Sequence, residues 1–148
     1  MRKLILPLIF LVLVSLSSLA FAGNNENVNW KKFSDNLTKS LKSENIGVRL
    51  SAMQLIIRYS DKIDVTDGVF DVMREFRNND DQNIRKLALI TLYKMNDNWA
   101  IEFLKMQHQY EENQDIKNKI EHIVYAYENN NQEQLAQVVN NLYLSLKL

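Results

Sequence analysis

One helical pattern occurs three times in this chain. The copies cover residues 45–59, 82–95 and 114–127, and equivalent positions recur at a nearly regular interval. Repetition of a helical unit at such a period is typical of an α-solenoid, in which each unit buries one face against the next. The equivalent positions are Val48, Ile84 and Ile116; Arg49, Arg85 and Lys117; Ala52, Ala88 and Ile120; and Ile56, Leu92 and Val124.

Residues that break helices are scarce outside the N-terminal segment. Only Gly47 and Gly68 occur between Asn24 and Leu148, and that range has no proline. Because turns in sheet proteins use both residue types, the scarcity predicts an all-α fold. The 3.6-residue periodicity predicts seven helices. Five cover about 30–42, 46–59, 82–95, 99–110 and 116–127, another carries 69–76, and a last helix carries 135–142.

Polar residues before these helices are predicted to cap them. Asp64 and Asp67 form a predicted capping pair for the helix that carries 69–76. Either Asp80 or Asp81 is expected to cap the helix over 82–95. Asn130 with Glu133 forms a predicted capping box for the last helix. The final stretch, 142–148, alternates apolar and polar residues, so it is either the frayed end of that helix or an extended tail able to pair with a sheet edge.

The repeated segments resemble the second helix of a HEAT-type repeat. "DDQNIRKLAL" has the acidic turn, the β-branched and basic pair, and the alanine three residues after the basic residue; "ENIGVRLSAM" has the same pair and alanine. "NQDIKNKIEHI" diverges, and the proline usual in the turn of this family is absent. The resemblance implies a right-handed α-α superhelix of about three helix pairs plus a C-terminal helix, forming a single domain over 30–148.

A basic column recurs in the first turn of the repeated helix, at Arg49, Arg85 and Lys117. The helix dipole disfavours a cation at this end, so each residue should have an acidic partner nearby. Asp81 or Glu44 in the preceding turn is the expected partner. The resemblance implies that the column is a structural ladder.

The side of the repeated helix opposite its core positions carries apolar and aromatic residues. In HEAT-like proteins the second helices line the concave side. The resemblance therefore implies a partner-binding row there, and aromatic side chains suit such a role. The alternative is that the terminal helix or tight curvature buries this row. Its candidate residues are Met53, Ile57, Leu89, Tyr93 and Tyr125.

The N-terminus has the three parts of a secretory signal peptide over residues 1–22. A basic start precedes the apolar run 4–16, and Ala20 and Ala22 form a small-residue cleavage motif. We expect cleavage after Ala22, a loose polar lead-in over 23–29, and a periplasmic or secreted protein. The stretch from Leu4 to Ala22 is also just long enough to span a bilayer, so the alternative is a membrane-tethered structural or assembly subunit with an uncleaved anchor.

Composition predicts a binding protein rather than an enzyme. Without Arg2 and Lys3, the chain has 16 basic and 18 acidic residues. This slightly negative net charge does not suit binding to the phosphates of nucleic acid. The chain has no cysteine, no glycine-rich phosphate loop and only two histidines, His108 and His122, so we expect no cofactor, no metal and no catalytic site. The expected partner is an unidentified protein or peptide, with a membrane involved only if the N-terminal segment is uncleaved.

Overall fold

The structure, a computed structural model, describes residues 28–146. Seven α-helices and one 3₁₀ turn follow one another in this range, which contains no β-strand. The predicted all-α class is therefore confirmed for the described residues. The helices are α1 Trp30–Leu41, α2 Ile46–Tyr59, α3 Val69–Asn78, α4 Gln82–Met95, α5 Asn98–Tyr110, α6 Gln114–Glu128 and α7 Gln132–Leu144.

Asparagine or aspartate side chains cap the N-termini of six of the seven helices. Before α4, Asp81 is the cap, and its Oδ1 accepts from the Asn83 N–H at 2.7 Å. Each such cap contributes about 1 kcal/mol by pairing an N–H that has no partner inside the helix. These caps explain why the sequence located most helix starts closely.

Two predicted caps differ from the structure. The Asp64 carboxylate accepts hydrogen bonds from the Thr66 hydroxyl at 2.8 Å and the Thr66 N–H at 3.1 Å. These bonds lower the pKa of Asp64. The 3₁₀ turn Thr66–Gly68 follows, and α3 begins after it without a side-chain cap, so the predicted capping pair is wrong. At α7 the cap is Asn131, whereas Asn130 takes a left-handed conformation, φ 51°, between α6 and α7.

Helix α4 lies at the centre of the packing. It contacts α2, α3, α5, α6 and α7, and every residue from Leu87 to Leu92 is buried. The Thr91 hydroxyl within this run donates to the Leu87 carbonyl at 2.8 Å, which satisfies its hydrogen bond in the core. All seven helices contribute to one hydrophobic cluster.

The helices also contact one another in an order that follows the sequence. Helices α1 and α2, α3 and α4, and α5 and α6 pack as successive pairs, while α2 contacts α4 and α3 contacts α5. Helix α7 packs against α6 and α4 and ends at Leu144, so the helical interpretation of the C-terminal stretch is correct to that residue. The predicted signal peptide lies outside the described residues, within which no helix is long and apolar enough to cross a membrane.

Candidate functional site

Two of the five residues in the predicted partner-binding row are core residues. Met53 and Leu89 have no exposed side-chain surface. The prediction that they line an open surface is wrong, because α4 is packed on several sides and α2 packs against both α1 and α4. Helix α4 is apolar on all sides over Leu87–Leu92, and a helix of that kind is buried on all sides.

The other three residues of the row lie in different environments. Ile57 and Tyr93 are half-buried and pack against the core, whereas Tyr125 is 56% exposed. Burial raises the pKa of Tyr93, and the Lys94 ammonium lies 5.7 Å from its ring centroid. Among the described residues no ring contact joins Tyr93 to Tyr125. Tyr125 is therefore the one member that offers most of its side chain to a partner.

Two of the three basic residues in the predicted column, Arg49 and Arg85, form ion pairs, but with other partners than expected. The Arg49 Nε donates to the Glu75 carboxylate at 2.6 Å, and its Nη1 donates to the carbonyls of Ser43 and Glu44 at 2.7 and 2.9 Å. Glu75 keeps only 8% of its side chain exposed. Carbonyls that follow the C-terminus of α1 thus offset the unfavourable position of Arg49 at the start of α2.

The second arginine repeats this arrangement one unit later. Both terminal nitrogens of Arg85 donate to the Glu111 carboxylate, and its Nε donates to the Phe76 carbonyl at 2.9 Å. The guanidinium carbon lies 5.1 Å from the centroid of the Phe76 ring. In both pairs the glutamate comes 26 residues after the arginine. The ion pair therefore repeats with the same period as the helices.

The other two predicted ladder residues do not join it. The Asp81 carboxylate caps α4 and makes no ion pair with Arg85. At the spacing that joins each arginine to its glutamate, the residue after Lys117 is Tyr143, which carries no charge. Within residues 28–146 Lys117 makes no ion pair. The ladder therefore consists of two ion pairs, Arg49–Glu75 and Arg85–Glu111.

A groove of about 270 Å³ lies between α5 and α6, beside Tyr125. Its polar edge includes the Lys105 ammonium, which contacts Glu102 at 2.8 Å and Glu128 at 2.9 Å. Hydrogen bonds to Glu102 first, and then to Glu128, raise the pKa of Lys105 to about 12. The lining residues are Lys105, His108, Ile120, Glu121, Val124, Tyr125 and Glu128. The groove thus combines apolar surface, an aromatic ring and fixed charges.

His108 lines this groove. Its Nε2 is buried and has no hydrogen-bond partner among the described residues. A buried polar atom without a partner is uncommon in a folded protein. His122 lines a different cavity, against α7, so the two histidines do not share a site. The described residues contain no group of three or more side chains that could hold a metal ion.

Sequence reasoning missed most of the groove and a second exposed surface. Only the spacing of Glu102 and Lys105, three residues apart on one helix, gave a local signal for the ion pair. The second surface is the α5 stripe, defined here as Trp99, Met106 and Tyr110, which are 68%, 49% and 74% exposed. In the sequence, Trp99 and Tyr110 mark only the ends of a predicted helix, and this position carries no signal for their exposure.

Comparison of the chain with family models, with curated proteins and with solved structures gave no match. Function is therefore inferred from the residues and contacts above.

Proposed function

We propose that this chain is a small HEAT-like solenoid, a right-handed α-α superhelix of three helix pairs closed by α7, that binds a protein or peptide partner and is not an enzyme. The two repeated ion pairs support the fold. Arg49 of α2 reaches α3, and Arg85 of α4 reaches the turn after α5, so each pair joins one unit to the next. Stacked units require such nearest-neighbour contacts.

The partner is proposed to bind at the groove beside Tyr125. The observation that supports this site is the Tyr125 ring, 56% exposed at a groove that also offers apolar surface and charged side chains. A partner that enters the groove can bury the Tyr125 ring and contact the charged side chains beside it. Tyrosine side chains in this situation often contribute most of the affinity at an interface.

Site-specific crosslinking tests this assignment. Since the chain has no cysteine, Tyr125→Cys introduces a single thiol that can carry a photoactivatable group. Incubated with the native exported fraction, this variant should form an adduct with one partner. Val48→Cys, at an exposed position on α2, is the matched control. A site elsewhere is indicated if both thiols give the same adducts, or if the folded Tyr125→Cys protein gives none.

We further propose that the protein is exported and cleaved after Ala22. The apolar run and the small-residue motif before Gly23 support this. The mass of the native protein should then correspond to residues 23–148. Detection of the intact N-terminus in a membrane fraction would instead favour a membrane-tethered assembly subunit.

The α5 stripe supports self-association as a second candidate function. Trp99, Met106 and Tyr110 lie on one side of α5, whereas Phe103 between them is buried against Phe76. Two antiparallel copies of α5 would place Trp99 opposite Tyr110. Three exposed side chains are far fewer than the ~20–30 residues per partner of a standard interface, so the dimer should be weak.

Sedimentation velocity over a wide concentration range tests the self-association. The wild-type protein should show a rising average mass, and Trp99→Ser with Tyr110→Ser should remain monomeric. The control is Phe70→Ser, which removes an equally exposed apolar side chain from α3. A monomeric wild-type protein at all concentrations would exclude this function.

A further inference from the structure

The exposed face of α6 at the groove is an alternating acidic and aromatic stripe. Glu121, Tyr125 and Glu128 follow one another at spacings of four and three residues and lie on one side of the helix. All three line the groove. The Glu121 carboxylate forms no ion pair or side-chain hydrogen bond within the described part of the chain, whereas Glu128 contacts Lys105. Tyr125 therefore lies between two acidic side chains, and one of them has no counter-ion.

The single cation at the groove does not balance these acids. The Lys105 ammonium forms ion pairs with both Glu102 and Glu128, so one positive charge is shared by two carboxylates. With Glu121, the charged side chains that line the groove (Lys105, Glu121 and Glu128) carry a net charge of −1. An anionic ligand would be repelled by this surplus, and a purely apolar one would remove the Glu121 carboxylate from water without a counter-charge, which costs free energy.

From this charge and geometry we infer that the groove accepts a cationic side chain of the partner, with arginine preferred over lysine; the inference rests on the proposed binding function. A guanidinium group stacks on aromatic rings and donates several N–H bonds in one plane. It can lie over the Tyr125 ring and donate to the Glu121 carboxylate one helical turn away. A lysine ammonium is a compact, strongly hydrated point charge that neither stacks on a ring nor donates in a planar fork, so it should bind more weakly there.

The groove, with a volume of about 270 Å³, has room for one long side chain of a peptide or loop.

The test is selection of random peptides displayed on phage against the immobilised protein. Selected peptides should contain an arginine at one fixed position, and arginine to lysine there should weaken binding several-fold. Glu121→Gln should weaken the selected peptide about tenfold, since a charge-assisted hydrogen bond is lost. Tyr125→Leu should weaken it about threefold, while Tyr125→Phe keeps the ring and most of the affinity. The control is Glu112→Gln, at an acid outside the groove.

The outcomes separate the inference from the proposed function. Selected peptides that depend on Tyr125 but lack a basic residue, or that bind the Glu121→Gln variant unchanged, overturn the cation preference and leave the binding site in place. If no selected peptide depends on Tyr125, the inference fails with the proposed site. Melting temperatures of the Tyr125 variants should equal that of the wild type, because this side chain is more than half exposed.

Discussion

The repeated ion pair gives the sharpest prediction, which concerns Glu111→Gln. This change removes the charge that faces Arg85 while it keeps the size of the side chain. The Glu111 side chain is 4% exposed and that of Arg85 18%, so solvent cannot replace the lost carboxylate. The guanidinium would stay largely buried with only the Phe76 carbonyl and one amide oxygen as acceptors.

The structure sets the expected magnitude. Removal of one partner of a buried ion pair costs about 3–5 kcal/mol. Arg85 keeps its bond to the Phe76 carbonyl and its contact with the Phe76 ring, and glutamine keeps one acceptor. We therefore expect a loss of about 2–3 kcal/mol in the free energy of unfolding, less than the full cost. For a domain of this size that corresponds to a melting temperature lower by roughly 6–15 °C.

Urea denaturation followed by circular dichroism measures the effect. The control is Lys119→Gln, which affects an exposed pair: Asp115 is 51% exposed and keeps Lys86 as a partner, so the expected change is within about 0.5 kcal/mol. A cycle with Arg85→Met should give a coupling energy of about 1–3 kcal/mol. A Glu111→Gln variant as stable as the control, or a coupling energy near zero, would refute the buried pair.

Three further predictions concern Lys117, Asp115 and the two glycines of the described residues. Lys117→Ala should change the free energy of unfolding by less than about 0.5 kcal/mol, because the ladder does not reach it. The pKa of Asp115 is lowered by Lys119 and then Lys86, so its contribution is present above pH 3.8 and lost as pH falls through the lowered value. The stability difference between wild type and Asp115→Asn should therefore shrink in acid titrations. Gly68→Ala would place Cβ 2.6 Å from Leu41 Cδ1 and should cost about 1–3 kcal/mol in the free energy of unfolding. Gly47→Ala should be close to neutral, because its nearest contact, Asn45 Oδ1, is 3.2 Å away. Thermal melts of the two variants measure this difference.

Local patterns in the sequence were sufficient for the helices. Apolar residues at helical spacing defined α2 and α4 to the residue, and short asparagine- or aspartate-containing turns separate most of the helices. The start of α3 was different. Asp64 bonds to Thr66 two residues later and forms a turn, a geometry that the same residues favour as strongly as a cap. Sequence spacing alone does not separate these two uses of an aspartate.

The partners of the ladder could not be found by a search of the adjoining turn. Glu75 and Glu111 lie far beyond that turn in the chain, so their contacts with the arginines depend on how successive helix pairs pack. A signal was nevertheless present in the sequence. The interval between the two glutamates equals the interval between Arg49 and Arg85. A search for charged residues that repeat at the interval between the repeated helices would have identified the two glutamates.

The partner-binding row shows where a helical wheel fails. Positions on a wheel are assigned to a core face and an outer face, and Leu89 falls on the outer face of α4. However, α4 contacts five other helices, so it has no continuous outer face among the described residues. The run "LALITL", Leu87–Leu92, already indicates this, because an uncharged run of that length covers every side of the helix. Helix α6 has charged residues on the side opposite its core, and there the same reasoning placed Tyr125 at the surface. Outer positions are therefore predictable where charged residues mark the outer side of a helix, as on α6, and not within an uncharged run, as on α4.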